Sequence, residues 1–193
     1  GDTVFHSGAW DPATGSIEGQ LEVAWEPHHD IITTDSQVQI YELVLGDVNG
    51  DPTTLLERAY AHLKDNRMVP LGFVADHPVG DTTAVIGSAL NDPNFNLDPL
   101  GEEGTGGDRV IYQIPSELIG QNVDITCQVW YQSLPPKWVA PMLELEGDSL
   151  IDGFRALYSA FIPTPERVGV GAMNVNLVST DPVQAAPAFS AYP

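Results

Sequence analysis

The densest group of potential ligands in the sequence is Pro27-His28-His29-Asp30. Imidazole nitrogen is a common transition-metal ligand, and a neighbouring carboxylate could share the same ion. Neighbours in an extended chain point to opposite faces, so His28 and His29 do not readily chelate one metal. His6, His62 and His77 are too scattered to complete a site by spacing. The competing reading of His28, His29 and Asp30 is a structural loop whose side chains hydrogen-bond the backbone.

A second group, Asp47-Val48-Asn49-Gly50-Asp51, sets oxygen-bearing residues at alternate positions, as a hard cation such as calcium requires. Asp47, Asn49 and Asp51 are the candidate ligands. The match to an EF-hand is partial: Gly50 precedes Asp51, Pro52 follows it, and Arg58 stands where the bidentate Glu belongs. A turn leading into a helix explains the same residues. His62-Leu63-Lys64-Asp65-Asn66-Arg67 gathers scarce basic groups without a nucleophile beside them, so Asp65 and Arg67 are expected to tie an element end by charge-assisted hydrogen bonds. Ser7 and Ser88 neighbour glycines, but the chain contains no Gly-x-Ser-x-Gly elbow, no phosphate-binding Gly loop and no Cys-x-x-Cys-His. No catalytic residue is assigned. Trp10, Trp25, Trp130 and Trp138 could line a glycan face or serve as core.

The chain has 27 acidic residues against 7 basic ones, a net charge of −20. Such a surface repels nucleic acid and anionic membranes. Divalent cations, basic proteins and neutral glycans remain as partners. Cys127 is the one cysteine, so an internal disulfide is excluded. Its alternating surroundings, Val123 to Trp130, place it as a small hydrophobe on a half-buried strand. No apolar run reaches membrane-spanning length. The start at Gly1 without Met, the scarcity of Lys and the wealth of Thr, Asn, Asp and Gly suggest a processed, secreted bacterial protein.

The elements that must position these groups read as mainly β. Strands are expected at Thr3 to His6, Gln37 to Leu45, Arg109 to Ile114, Val123 to Gln132 and Arg167 to Val178, while Ile17 to Trp25 alternates imperfectly and Ala84 to Ser88 is a short apolar run. Thr53 or Thr54 could cap a helix of about three turns carrying Leu55, Leu56, Ala59, Tyr60 and Leu63. A second helix is expected from Ser149 to Phe161. The Gly/Asp/Pro-rich stretch from Asn91 to Asp108 reads as a mobile or ligand-exposed loop. The expected fold is an antiparallel β-sandwich with two inserted helices over residues 1–180, and an extended Pro/Ala-rich tail over 181–193.

Several runs, in order, resemble the C-terminal β-rich domain of secreted bacterial proteins of the multihaem cytochrome type. They are Phe5-His6-Ser7-Gly8, Pro27-His28-His29-Asp30, Gln37-Val38-Gln39-Ile40-Tyr41-Glu42, Leu63-Lys64-Asp65-Asn66-Arg67, Gly107-Asp108-Arg109-Val110 and Tyr131-Gln132-Ser133-Leu134-Pro135-Pro136. The resemblance implies an extracytoplasmic β-rich module and, without Cys-x-x-Cys-His, not a haem carrier.

The function expected from the sequence is an extracellular structural or assembly subunit that associates with its own copies or with a larger surface protein. Strand exchange at the chain ends would build the assembly, through Thr3, Val4 and Phe5 at one end and Val183, Phe189 and Tyr192 at the other. The alternative is an accessory module binding calcium or glycan for a cytochrome-type partner. No cofactor is expected, calcium excepted.

Overall fold

Val38 and Ile40 alternate with polar residues, Val44 and Leu45 follow in the same run, and all four are buried. They form the centre of the molecule, together with Ile32, Ala89 and Phe95. The computed structural model describes residues 2–11, 16–17, 25–76, 84–115, 122–161 and 163–176.

Strands β1 (Trp10–Asp11) and β2 (Ser16–Ile17) make a short antiparallel pair. Strand β3 (Ile31–Ile32) runs parallel to β7 (Ile111–Tyr112). The largest sheet among the described residues has three antiparallel strands, in the order β5 (Pro52–Thr53), β4 (Leu43–Gly46) and β6 (Ala61–Asp65). Gly46 permits this packing: a Cβ there would stand 2.8 Å from the Leu63 side chain, which lies across it.

The remainder is an arm. Strands β8 (Asn122–Tyr131) and β9 (Glu166–Asn176) pair antiparallel along their whole length, from Asn122 opposite Asn176 to Tyr131 opposite Glu166. Between them lie helices α1 (Pro136–Leu143) and α2 (Ser149–Ala160). Pro136 opens α1, where a missing N–H costs nothing. Asp148 caps α2, its carboxylate accepting the backbone N–H of Leu150 at 2.8 Å. Lys137 of α1 binds Glu42 of the centre. Seven buried apolar side chains belong to the centre, whereas those of the arm among the described residues are Val139 and Pro165.

The expected β-sandwich is overturned. The described strands form sheets of two or three members, which do not supply two multi-stranded layers. Side chains have taken backbone groups that a ladder would use. The Ile40 carbonyl accepts from Lys64 Nζ at 2.7 Å and Asn66 Nδ2 at 2.9 Å, and the Glu42 N–H donates to Asn66 Oδ1 at 2.8 Å. Of the run Gln37 to Leu45, therefore, only Leu43 onward enters a sheet.

The helix expected after Thr53 is also absent. Thr53 pairs with Leu45, a 3₁₀ turn occupies Leu56–Arg58, and Ala61–Asp65 is β6. Pairing with β4 outweighs the local helical spacing. Thr3 to His6 is not a strand; Phe5 instead meets the Tyr112 ring edge-on with centroids 6.3 Å apart. The strand expected from Arg109 to Ile114 shortens to Ile111–Tyr112.

The Asn91 to Asp108 loop is tied down, with Asp92, Phe95, Asn96 and Asp108 buried. Gly106, at φ 63°, is needed there because a Cβ would stand 2.8 Å from the Leu71 nitrogen. The expected strands Val123 to Gln132 and Arg167 to Val178 and the helix from Ser149 match β8, β9 and α2 closely. The tail 181–193, with Val183, Phe189 and Tyr192, lies outside the described residues, as does His77. No helix among the described residues is long and apolar enough to cross a membrane.

Candidate functional site

His28 is the hub of the buried polar groups. Its side chain and those of Asp92 and Asp108 are each 1% exposed. Nε2 lies 2.8 Å from Asp92 Oδ2 and 3.8 Å from Asp108 Oδ2, and the edge of the Phe95 ring seals the imidazole at a centroid distance of 5.3 Å. On the other side of the ring, Nδ1 faces Gln39 Nε2 at 2.8 Å and Asn66 Nδ2 at 2.9 Å.

Both amides are held in one orientation. Gln39 Oε1 accepts the His29 N–H at 2.9 Å, and Asn66 Oδ1 accepts the Glu42 N–H. Each therefore turns its NH₂ group toward His28. With two donors aimed at it, Nδ1 must be the acceptor, and the ring proton sits on Nε2, donated to Asp92.

The two carboxylates have their own donors. Asp92 Oδ1 accepts the Asn94 N–H at 2.6 Å; Asp108 accepts the Arg109 N–H at 2.7 Å and the Tyr41 hydroxyl at 2.7 Å. Burial would raise the Asp92 carboxyl, but the His28 hydrogen bond and the backbone N–H groups of Asn94 and Phe95 outweigh it and hold Asp92 below the ordinary range. At Asp108 burial prevails and, with Asp92 charged nearby, raises the carboxyl against the help of Tyr41 and His28. Burial, then the Asp108 charge, drives the Tyr41 phenol far up.

Beside the hub lies a second buried group. Lys64 Nζ, on a side chain 1% exposed, donates to the carbonyls of Glu26 and Ile40, each at 2.7 Å, and faces Glu42 at 3.5 Å. Burial lowers the ammonium to about 8, with Glu42 opposing the fall. Glu42 also binds Lys137, so this group joins the arm to the centre.

The residues expected to share a metal are not brought together. His28 turns to Asp92, His29 Nε2 pairs with Glu26 at 2.6 Å, and Asp30 accepts from Asn94 at 2.9 Å. His28, Asp92 and Asp108 do place ligand atoms within 4.8 Å of one another. A cation on Nε2 would shift the ring proton to Nδ1, against the Gln39 and Asn66 N–H groups, whereas a metal-bound histidine normally donates from its free nitrogen to an acceptor. The donor set does not fit a metal.

In the loop expected to hold calcium, Asp47 Oδ1 accepts the N–H groups of Asn49 and Asp51, at 2.8 and 3.1 Å, and its Oδ2 accepts from Asn49 Nδ2 at 3.3 Å. These bonds, led by that from the Asn49 N–H, lower the exposed Asp47 carboxyl. The carboxylate thus closes a turn. Trp25 and Trp138 line a cavity of about 20 Å³, which has room for a water molecule and not for a sugar.

Four of the six runs singled out in the sequence converge on the hub and the lysine group, through His28; Gln39, Tyr41 and Glu42; Lys64 and Asn66; and Asp108. Sequence reasoning did not single out Asp92, Asn94 or Lys137. Asp92 carried a faint signal in Asn91-Asp92-Pro93, a turn dipeptide with its own side-chain acceptor. The chain matches no family model, no curated protein and no solved structure.

Proposed function

We propose that this chain is a non-catalytic structural module that docks through the arm Asn122–Asn176 onto another protein surface outside the cytoplasm. The observation that carries the reading is the exposure of the arm's apolar side chains on continuous elements. Leu150 and Leu157 of α2, Phe161 just beyond it, Trp130 and Tyr131 of β8, and Val168 and Val170 of β9 all face outward. The exposed apolar residues Val48, Leu56, Tyr60, Leu71, Leu90 and Leu100 lie instead in turns, 3₁₀ turns and loops. A two-stranded ribbon has little stability of its own in water, and a covering surface would supply what it lacks.

The sealed hub supports the same reading. Its acidic and basic groups are committed to one another and to backbone, and they are remote from solvent. They stabilise the scaffold that carries the arm. The resemblance to cytochrome-type C-terminal domains agrees with an extracytoplasmic setting and a large protein partner.

The test is a variant with Leu150→Ser, Leu157→Ser and Phe161→Ser together, studied at low protein concentration. Docking residues contribute little to the isolated fold, so the melting temperature is expected to stay within about 2 °C of the parent while binding of a hydrophobic dye falls. A loss above roughly 5 °C would make these side chains part of the fold and reject the reading.

A further inference from the structure

Asn49-Gly50 is the one Asn-Gly pair in the sequence, and both residues are exposed in the turn between β4 and β5. Asparagine is a chemically labile residue, because its side-chain amide is open to attack by the backbone nitrogen of the next residue. Glycine hinders that attack least, since it has no Cβ to crowd the closing ring. Gly50 has φ 85°, a conformation that favours glycine, so the turn itself selects the follower that makes Asn49 most labile. Nothing lies within 4 Å of where a Gly50 Cβ would stand, which leaves room for the ring to form.

Asp47 holds both of the groups that would react. Its backbone carbonyl accepts the Gly50 N–H at 3.0 Å, which occupies the nucleophile. Its Oδ2 accepts from Asn49 Nδ2 at 3.3 Å, which ties the leaving amide to Asp47. Its Oδ1 accepts the N–H groups of Asn49 and Asp51, at 2.8 and 3.1 Å, and so pins the backbone on either side of Gly50. The Asp47 N–H donates in turn to the Asp51 carbonyl at 2.8 Å. Gly50 must lose its amide proton to base before it attacks, and, as in hydrogen exchange, a bonded N–H gives up its proton only when the turn opens.

We propose that Asn49 is a site of spontaneous deamidation and that the Asp47 side chain sets its rate by keeping the turn closed. When the turn opens, base removes the Gly50 amide proton and the nitrogen attacks Asn49 Cγ. The new N–Cγ bond forms as the Cγ–Nδ2 bond breaks, and Nδ2 takes up a proton and leaves as ammonia. A cyclic succinimide remains. Water then opens it: breaking the bond from Gly50 N to Cγ leaves aspartate at 49, and breaking the bond to the backbone carbonyl carbon leaves isoaspartate. Water is the only co-reactant, and no oxidation occurs.

Isoaspartate carries the main chain through the former side chain and lengthens the turn by a carbon. The N–H groups of Gly50 and Asp51 then lose their fit to Asp47, and the register that sets Gly46 opposite Pro52 and Leu45 opposite Thr53 loses its closing turn. Either product adds a carboxylate beside Asp47 and Asp51 on a chain of net charge −20. The reaction does not reverse once ammonia has left, so a brief opening of the turn becomes a permanent change at the edge of the central sheet.

The test is incubation of the full chain in mildly alkaline buffer, followed by peptide mapping with mass spectrometry and by methyl transfer with an isoaspartyl methyltransferase. Asp47→Ala removes the side-chain acceptors and should deamidate at Asn49 about tenfold faster or more than the folded parent. Asp47→Asn keeps an oxygen for the N–H groups of Asn49 and Asp51 and should stay close to the parent. In urea, where the turn is gone, all three chains should converge on one fast rate. The parent gives a second measurement that needs no variant, since it should react more slowly folded than in urea. An Asn49 that keeps its amide in the Asp47→Ala chain would overturn the proposal. So would equal rates for folded parent and Asp47→Ala, an Asp47→Asn chain as fast as Asp47→Ala, a difference between variants that persists in urea, or a parent that reacts equally fast folded and unfolded.

Discussion

At the scale of single residues, the structure turns on which nitrogen of His28 carries the proton. Gln39 and Asn66 fix it on Nε2 because their own oxygens are held by backbone N–H groups. Long-range ¹H–¹⁵N correlation spectra should show His28 as the Nε2–H tautomer, and zinc added in excess should leave the melting temperature unchanged; an Nδ1–H ring or a marked zinc stabilisation would contradict the hub. Asp108 supplies a second test. Its folded carboxyl is raised above the unfolded value, so the folded state holds its proton to higher pH, and stability falls as pH rises through the raised value. Asp92, lowered, acts in the opposite sense and loses its contribution as pH falls through its depressed value. Asp108→Asn should therefore compare better with the parent at pH near 7 than at pH near 4 in chemical denaturation; the reverse order would contradict a raised Asp108. The sequence made His28 conspicuous but could not show its partners. Asp92 and Asp108 are 64 and 80 positions away, a separation that spacing rules do not reach.

At the scale of elements, legibility followed the source of stability. Strands β8 and β9 pair with each other over ten rungs, and their alternation and boundaries were readable. The segment from Thr53 to Leu63 has helical spacing, yet β4 recruits both of its ends as strands, and one-dimensional periodicity does not contain that competition. Lys64 explains part of the choice. As a strand residue at the end of β6 it reaches the Glu26 and Ile40 carbonyls. Lys64→Met would leave both without this donor and remove a charge from Glu42, at an expected cost of about 2–4 kcal/mol in chemical denaturation near neutral pH. The parent has a pH signature that the variant lacks. The folded ammonium, at about 8, lies below its unfolded value, so the cost of burying the charge is fully present below about pH 8 and is relieved as pH rises toward the ordinary lysine range.

At the scale of the molecule, a centre stitched by side chains carries an arm that shares few buried residues with it. The two are joined through Glu42 and Lys137, and Trp138 lines a small cavity together with Trp25, Leu43 and Pro52 of the centre. Hydrogen exchange of the monomer should therefore be graded. Amides of β4 and of the buried Asn96 and Gly106 should exchange slowest, and those of α2 fastest among the helices, where no residue is buried. Uniform protection across the chain would speak against a separable arm. The class of the fold was not legible because the sequence advertises strands, whereas the hub diverts backbone groups of Ile40 and Glu42 to side-chain partners.

The hub also governs how the chain must find its structure. Tyr41 meets Asp108 across 67 positions and His28 meets Asp92 across 64, so loops of that span close before either bond exists. Closure entropy grows only logarithmically with span, but it must be met several times before these bonds compensate it. Folding of the centre is expected to be slow for its size and all-or-none.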